Sequence, residues 1–121
     1  MSKAEEWQEL WASARAAGEA AADRCVPTPM VVESRTATEV KQYYVPMGVC
    51  GFATIRFKGN TSFGRWAKKT ERATKSYSGG LITPVHVGGQ SYEIKKAYAQ
   101  AFAARLREGG VDDAYFTADL D

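Results

Sequence analysis

The sequence has little from which a metal centre or a covalent framework could be built. Two cysteines, Cys25 and Cys50, and one histidine, His86, are spread through 121 residues. That is too few N/S ligands for a structural zinc, and their spacing resembles no zinc set. The thiols are expected to be reduced and buried. No apolar run reaches the roughly 18 residues of a membrane helix. The opening stretch Met1–Glu6 has no basic segment leading into an apolar one, which predicts no secretory signal, no membrane partner and a cytoplasmic setting. Internal repeats and low-complexity segments are absent. A phosphate-binding Walker loop is missing too, since no Gly-Lys-Ser/Thr ending occurs. No acid, base and nucleophile stand at workable spacing, so neither an enzyme nor a cofactor is expected. Cys50 and His86 are the one Cys–His pair worth naming, since Cys25 falls in the connector, and no third residue orients them.

Apolar residues make up 45% of the chain and charged residues 25%, the balance of one small soluble globule. Residues 1–24 read as an amphipathic helix. Ser2 and Glu5 form a capping box, and Trp7, Leu10, Trp11, Ala14, Ala17 and Ala21 make one apolar stripe. Residues 25–48 contain Pro27, Pro29 and Pro46 and read as a connector, with short strands at Met30–Glu33 and Tyr43–Val45. Residues 49–121 read as the core. Strict alternation over residues 49–58 predicts a strand with Phe52, Thr54, Arg56 and Lys58 on one face and Ala53, Ile55 and Phe57 on the other. A short helix to about Lys69 follows, then a strand at Leu81–Val87 carrying Pro84. The best helix spans 92–108 and is closed by Gly109-Gly110, and a last strand covers Ala114–Ala118. The expected fold is a single α+β domain in the order α-β-α-β-α-β, with a three- to four-stranded sheet packed by two or three helices.

The net charge of +2 is unevenly spread. Residues 51–77 carry seven cations against Glu71 alone, whereas residues 109–121 carry only Asp112, Asp113, Asp119 and Asp121. Within the basic segment, Arg65, Lys68, Lys69 and Arg72 recur at intervals of three and four, which predicts a shared helix face. Such a face beside stackable aromatics suits nucleic-acid phosphates. The junction Lys58-Gly59-Asn60-Thr61-Ser62 offers hydroxyls and backbone N–H groups at a helix start, as either a plain N-cap or an anion site. Gly88-Gly89-Gln90-Ser91 has the same shape without cations. Were the two preceding strands parallel, Asn60, Thr61, Ser62, Arg65, Gln90 and Ser91 would converge; an antiparallel arrangement removes the convergence. Gly51–Phe57 is similar to the RNP1 strand of RNA-recognition domains at Gly51, Phe52, Ala53, Ile55 and Phe57. Cys50 and Thr54 depart from it, and we read it as a buried strand.

A wider resemblance is carried by Gly48–Ala53, Phe63–Lys69, Tyr77–Gly80, Gly89–Ser91, Lys96–Ala99, Asp112–Tyr115 and Leu120–Asp121. Over about two-thirds of its length the chain resembles a family of small, uncharacterised bacteriophage and prophage proteins. The resemblance implies a bacterial host cytoplasm and a small accessory role, and supplies no functional residues. The leading expectation is a non-enzymatic accessory protein that contacts DNA or RNA phosphates through Arg56, Lys58, Asn60, Thr61, Ser62, Arg65, Lys68, Lys69 and Arg72, with Trp66 or Phe52 stacking. The runner-up is a protein-interaction module that binds or inhibits a host factor, or contacts a phage protein, through Trp7 and Trp11. In that reading residues 1–24 are removable from a folded core. The third is small-anion binding at a helix N-terminus. A homodimer through the N-terminal helices stays open.

Overall fold

A computed structural model of the chain describes residues 2–36, 40–45, 48–87, 89 and 91–120. In chain order the elements are α1 (Lys3–Arg24), β1 (Met30–Arg35), β2 (Val40–Val45), β3 (Gly51–Phe57), α2 (Ser62–Lys69), β4 (Thr74–Lys75), β5 (Leu81–Pro84), α3 (Tyr92–Glu108) and β6 (Tyr115–Leu120). They form a single α+β domain with a four-stranded antiparallel sheet in the order β4-β5-β3-β6, and a separate two-stranded hairpin, β1-β2.

Half of the expected capping box forms: the Ser2 hydroxyl accepts from the Glu5 N–H at 3.2 Å, while the Glu5 carboxylate accepts from that hydroxyl, also at 3.2 Å, instead of from the Ser2 N–H. α1 buries Leu10, Trp11, Ala14 and Gly18 and packs along α3. At Gly18 a Cβ would lie 2.9 Å from the Tyr98 ring, so only glycine lets that ring rest on the α1 backbone. The Arg105 guanidinium donates to the Ser13 hydroxyl at 2.7 Å and ties the two helices further. α3 in turn covers β3 and β6. Alternation along β3 drives Ala53, Ile55 and Phe57 under the helices, where Ile55, Phe102 and Leu106 are almost fully buried. Each such side chain is worth about 1.5–3 kcal/mol of transfer free energy. The helices pack on the side of Ala53, Ile55 and Phe57; on the opposite side Phe52, Tyr115 and Asp119 are exposed and Thr54, Arg56, Ile82 and Thr117 half-buried.

Several expectations need correction. The short strands expected in the connector are longer than foreseen, Met30–Arg35 and Val40–Val45, and pair with each other over Met30↔Val45 to Arg35↔Val40. β4 was not foreseen, being only two residues long. β5 ends at Pro84 rather than at residue 87; β4 pairs only with Leu81 and Ile82, so the proline sits where no outer neighbour needs its missing N–H. Residues 1–24 are not a detachable element, since Leu10, Trp11 and Ala14 belong to the main hydrophobic core. Cys50 is exposed and Cys25 half-buried, against the expectation of two buried thiols.

Candidate functional site

The basic segment is organised by the turn that follows β3. Phe57 ends the strand buried, and the next residue, Lys58, is held by its backbone: its N–H donates to the Asp113 carboxylate at 2.6 Å. Thr61 then caps α2, its hydroxyl accepting from the Gly64 N–H at 2.9 Å. Gly64 rests so closely on the Lys58–Gly59 backbone that any Cβ would overlap the Lys58 carbonyl oxygen. With Phe63 and Ala67 buried beneath, the turn is clamped from three sides. α2 ends in a Schellman arrangement, Glu71 N–H to Lys68 C=O at 3.1 Å and Arg72 N–H to Ala67 C=O at 2.9 Å. The chain then passes through β4 and the turn at 76–80 into β5.

Between this turn, α2 and the β4–β5 hairpin lies a depression of about 500 Å³, lined by Lys58, Gly59, Asn60, Lys68, Lys75, Gly80 and Leu81. Among the described residues, three ammonium-bearing side chains border it and no carboxylate does. Like charges sharing one concavity raise its potential, which a phosphate or other oxyanion relieves. Lys58, Asn60 and Lys68 are residues the sequence reading singled out. Lys75 is one it missed: the residue counted only toward local charge, since nothing in its neighbours shows that a two-residue strand will bring it beside Lys68.

The other cations do not join them. Arg65 and Lys69 line a separate depression of about 240 Å³ with Lys3, Trp7, Ser62 and Trp66, so α2 divides the basic residues instead of presenting them on one face. The Arg65 guanidinium also donates to the Asn60 carbonyl at 3.1 Å. Arg72 lies past the end of α2, with its guanidinium 4.7 Å from the Trp66 ring centroid. Trp66 packs against Trp11 and Phe63, so with Arg72 over it the ring is engaged inside the protein. Arg56 lies across the open sheet face. Its donors reach the hydroxyls of Thr117 (3.0 Å), Ser76 (3.3 Å) and Ser78 (3.5 Å).

The helix-start residues serve the fold. Thr61 is the N-cap, and the Ser62 hydroxyl accepts from the Trp7 indole N–H at 3.4 Å. The two strand-to-helix junctions do not converge, because β3 and β5 are antiparallel. Ser91 is buried and bridges to Cys50 at the start of β3, whereas Thr61 follows its end; Gly88 and Gln90 lie outside the described residues. Trp11 is 8% exposed and packs on Phe57, Phe63, Trp66 and Phe102. Trp7 is half-buried, edge-on to Phe63. The two tryptophans therefore anchor α1 to its own domain, and their aromatic surface is largely spent there. Among the described residues, no group of three or more His, Cys, Asp or Glu side chains is placed to hold a metal ion, and no helix is long and apolar enough to cross a membrane. Comparisons with protein-family models, curated proteins and solved structures find no match to this chain.

Proposed function

We propose that this protein is a small non-enzymatic accessory protein that binds nucleic-acid phosphates, with Lys58, Lys68 and Lys75 as the principal contacts. One observation carries the reading: three lysines border one depression of about 500 Å³ whose lining contains no acidic residue among the described residues. A backbone phosphate placed there meets Lys58, Lys68 and Lys75, with Asn60 also in the lining. Arg65 and Lys69 extend the positive surface across α2. The resemblance to phage and prophage proteins adds a context, the cytoplasm of a bacterial host, in which such a role is common. Small-anion binding uses the same lysines and is distinguished by competition.

The test is fluorescence anisotropy of labelled DNA and RNA across a salt series, on the parent and on Lys58→Glu, Lys68→Glu and Lys75→Glu. Binding should weaken log-linearly with salt, and each reversal should lower the slope by roughly 0.7–0.9. Inorganic phosphate at millimolar concentration should compete only weakly. Retained affinity and slope in the triple variant would overturn the assignment of these lysines, and full displacement by phosphate would point to a small anion.

A second reading, a protein-interaction module, keeps one observation. The β1–β2 hairpin leaves Val31 and Val40 exposed on one face, side by side with Glu33 and Gln42. Loss of partner capture on excising residues 30–47, with nucleic-acid binding unchanged, would favour it.

A further inference from the structure

The face of the sheet turned away from the helices has a composition that the lysine depression does not explain. The alternation that buries Ala53, Ile55 and Phe57 turns Phe52, Thr54 and Arg56 outward. Register then places Tyr115 directly across from Arg56, Thr117 across from Thr54 and Asp119 across from Phe52. On the other side Ile82 pairs with Arg56. Two large rings are thereby left in solvent, Phe52 at 56% and Tyr115 at 53% exposure. Exposed aromatics on a sheet face gain little from burial, and Phe52 has the Lys95 ammonium over its ring, 5.5 Å from the centroid.

Arg56 is the centre of this face. Its partners are the hydroxyls of Thr117, Ser76 and Ser78, and no carboxylate neutralises it among the described residues. The three hydroxyls hold the guanidinium in place without neutralising it. Lys58, two residues further along the chain, lines the lysine depression. The positive surface therefore runs from that depression to the Tyr115–Arg56 row. At the far end Asp119 stands across from Phe52 and adds a negative charge to that end of the face.

We infer that the open face is a platform for single-stranded nucleic acid, with one base stacked on Tyr115, another on Phe52 and a phosphate at Arg56. The inference rests on the phosphate-binding reading and adds the strandedness of the ligand. Stacking on an aromatic ring requires a base free of its neighbours, which a duplex does not offer. Phe52 and Tyr115 are separated by four positions in register, about 13 Å along the strands at ~3.3 Å per residue. They would therefore meet different bases of one strand rather than opposite faces of one base. A protein partner is the other occupant such a face could take, but two separated rings around an unneutralised cation match a polyanion of flat bases better than an apolar surface.

The experiment pairs anisotropy on single-stranded and duplex oligonucleotides with the fluorescence of 2-aminopurine placed along the single strand. Variants are Phe52→Ala, Tyr115→Ala, Tyr115→Phe and, as a phosphate control, Lys68→Glu; circular dichroism melts report folding. The expected result is preference for the single strand and quenching of 2-aminopurine on binding. Each alanine variant should lose about 5- to 150-fold in affinity, with Tyr115→Phe close to the parent in both signals. Equal binding of single strand and duplex, with the aromatic variants unaffected and Lys68→Glu impaired, overturns the platform and leaves the phosphate reading standing. Absence of binding to any oligonucleotide at low salt overturns both.

Discussion

At the scale of single residues, tertiary packing assigns side chains of one type to different tasks. Trp11 touches four aromatic rings and sits at the centre of the core, while Trp7, one turn earlier, stays at its edge. The helical stripe made both legible in the sequence as anchors of the first helix onto the rest of the domain, and their packing agrees. Tyr98 gives a pH-dependent prediction. Burial pushes its hydroxyl above the ordinary 10.0, Arg15 pulls it partly back and Glu19 opposes Arg15. The folded state therefore keeps a proton that the unfolded chain gives up more readily. The associated stability is fully present below about pH 10 and is lost as the pH rises through the raised folded value. Thermal melts between about pH 9 and pH 11 should fall less steeply for Tyr98→Phe than for the parent; parallel curves would show that Tyr98 does not govern the alkaline limb.

At the scale of elements, α2 shows how eight residues can be locally legible and still misleading. Its cap, its buried Phe63 and Ala67 and its approximate end all follow from residue types. The spacing of its cations suggested one face, yet Lys68 turns to one depression and Arg65 and Lys69 to another. Arg72 lies beyond the last helical turn, where helical spacing no longer applies. The end of α2 carries strain: Glu71 occupies the left-handed position at φ 61°, a place glycine usually takes in a Schellman motif. For a residue with a side chain this conformation costs about 1–2 kcal/mol. Glu71→Gly should raise stability by about 0.5–1 kcal/mol in urea melts after the entropic cost of glycine is deducted. It also removes the one carboxylate of the basic segment, so nucleic-acid affinity should rise at low salt. A lower midpoint would mean that the Glu71 side chain makes a stabilising contact worth more than the strain.

At the scale of the whole molecule, the chain divides into a body and an arm, and the division differs from the one its proline content suggested. α1 belongs to the body through Leu10, Trp11 and Ala14, although it is the first element and rich in alanine. The β1–β2 hairpin is the arm: every side chain described in its strands is exposed. Its two ends meet where Gly48 lies against the Thr28 carbonyl oxygen. Replacing residues 30–47 with a short Gly-Ser link should therefore shift the melting temperature by less than about 4 °C. Deleting residues 1–24 should abolish the cooperative transition, because Phe57, Phe63 and Phe102 lose the indole on which they pack. The reverse pattern would show that the arm, and not α1, completes the core.

The sequence by itself determined whatever depends on neighbours a few residues apart. The caps at Ser2, Thr61 and Ser91, the span of α3, the inward and outward sides of β3 and the concentration of positive charge in residues 51–77 all rest on local backbone chemistry and short periods. Tertiary structure alone decided which distant side chains became neighbours. Antiparallel pairing of β3 with β5 sent the two helix starts to opposite ends of the sheet, and two-residue β4 brought Lys75 beside Lys58 and Lys68. It also set Tyr115 opposite Arg56 across 59 positions of chain, on a face that the helices leave open. Pairing of this kind depends on loop closure and on which apolar faces bury each other, and neither is written in the residues adjacent to the site.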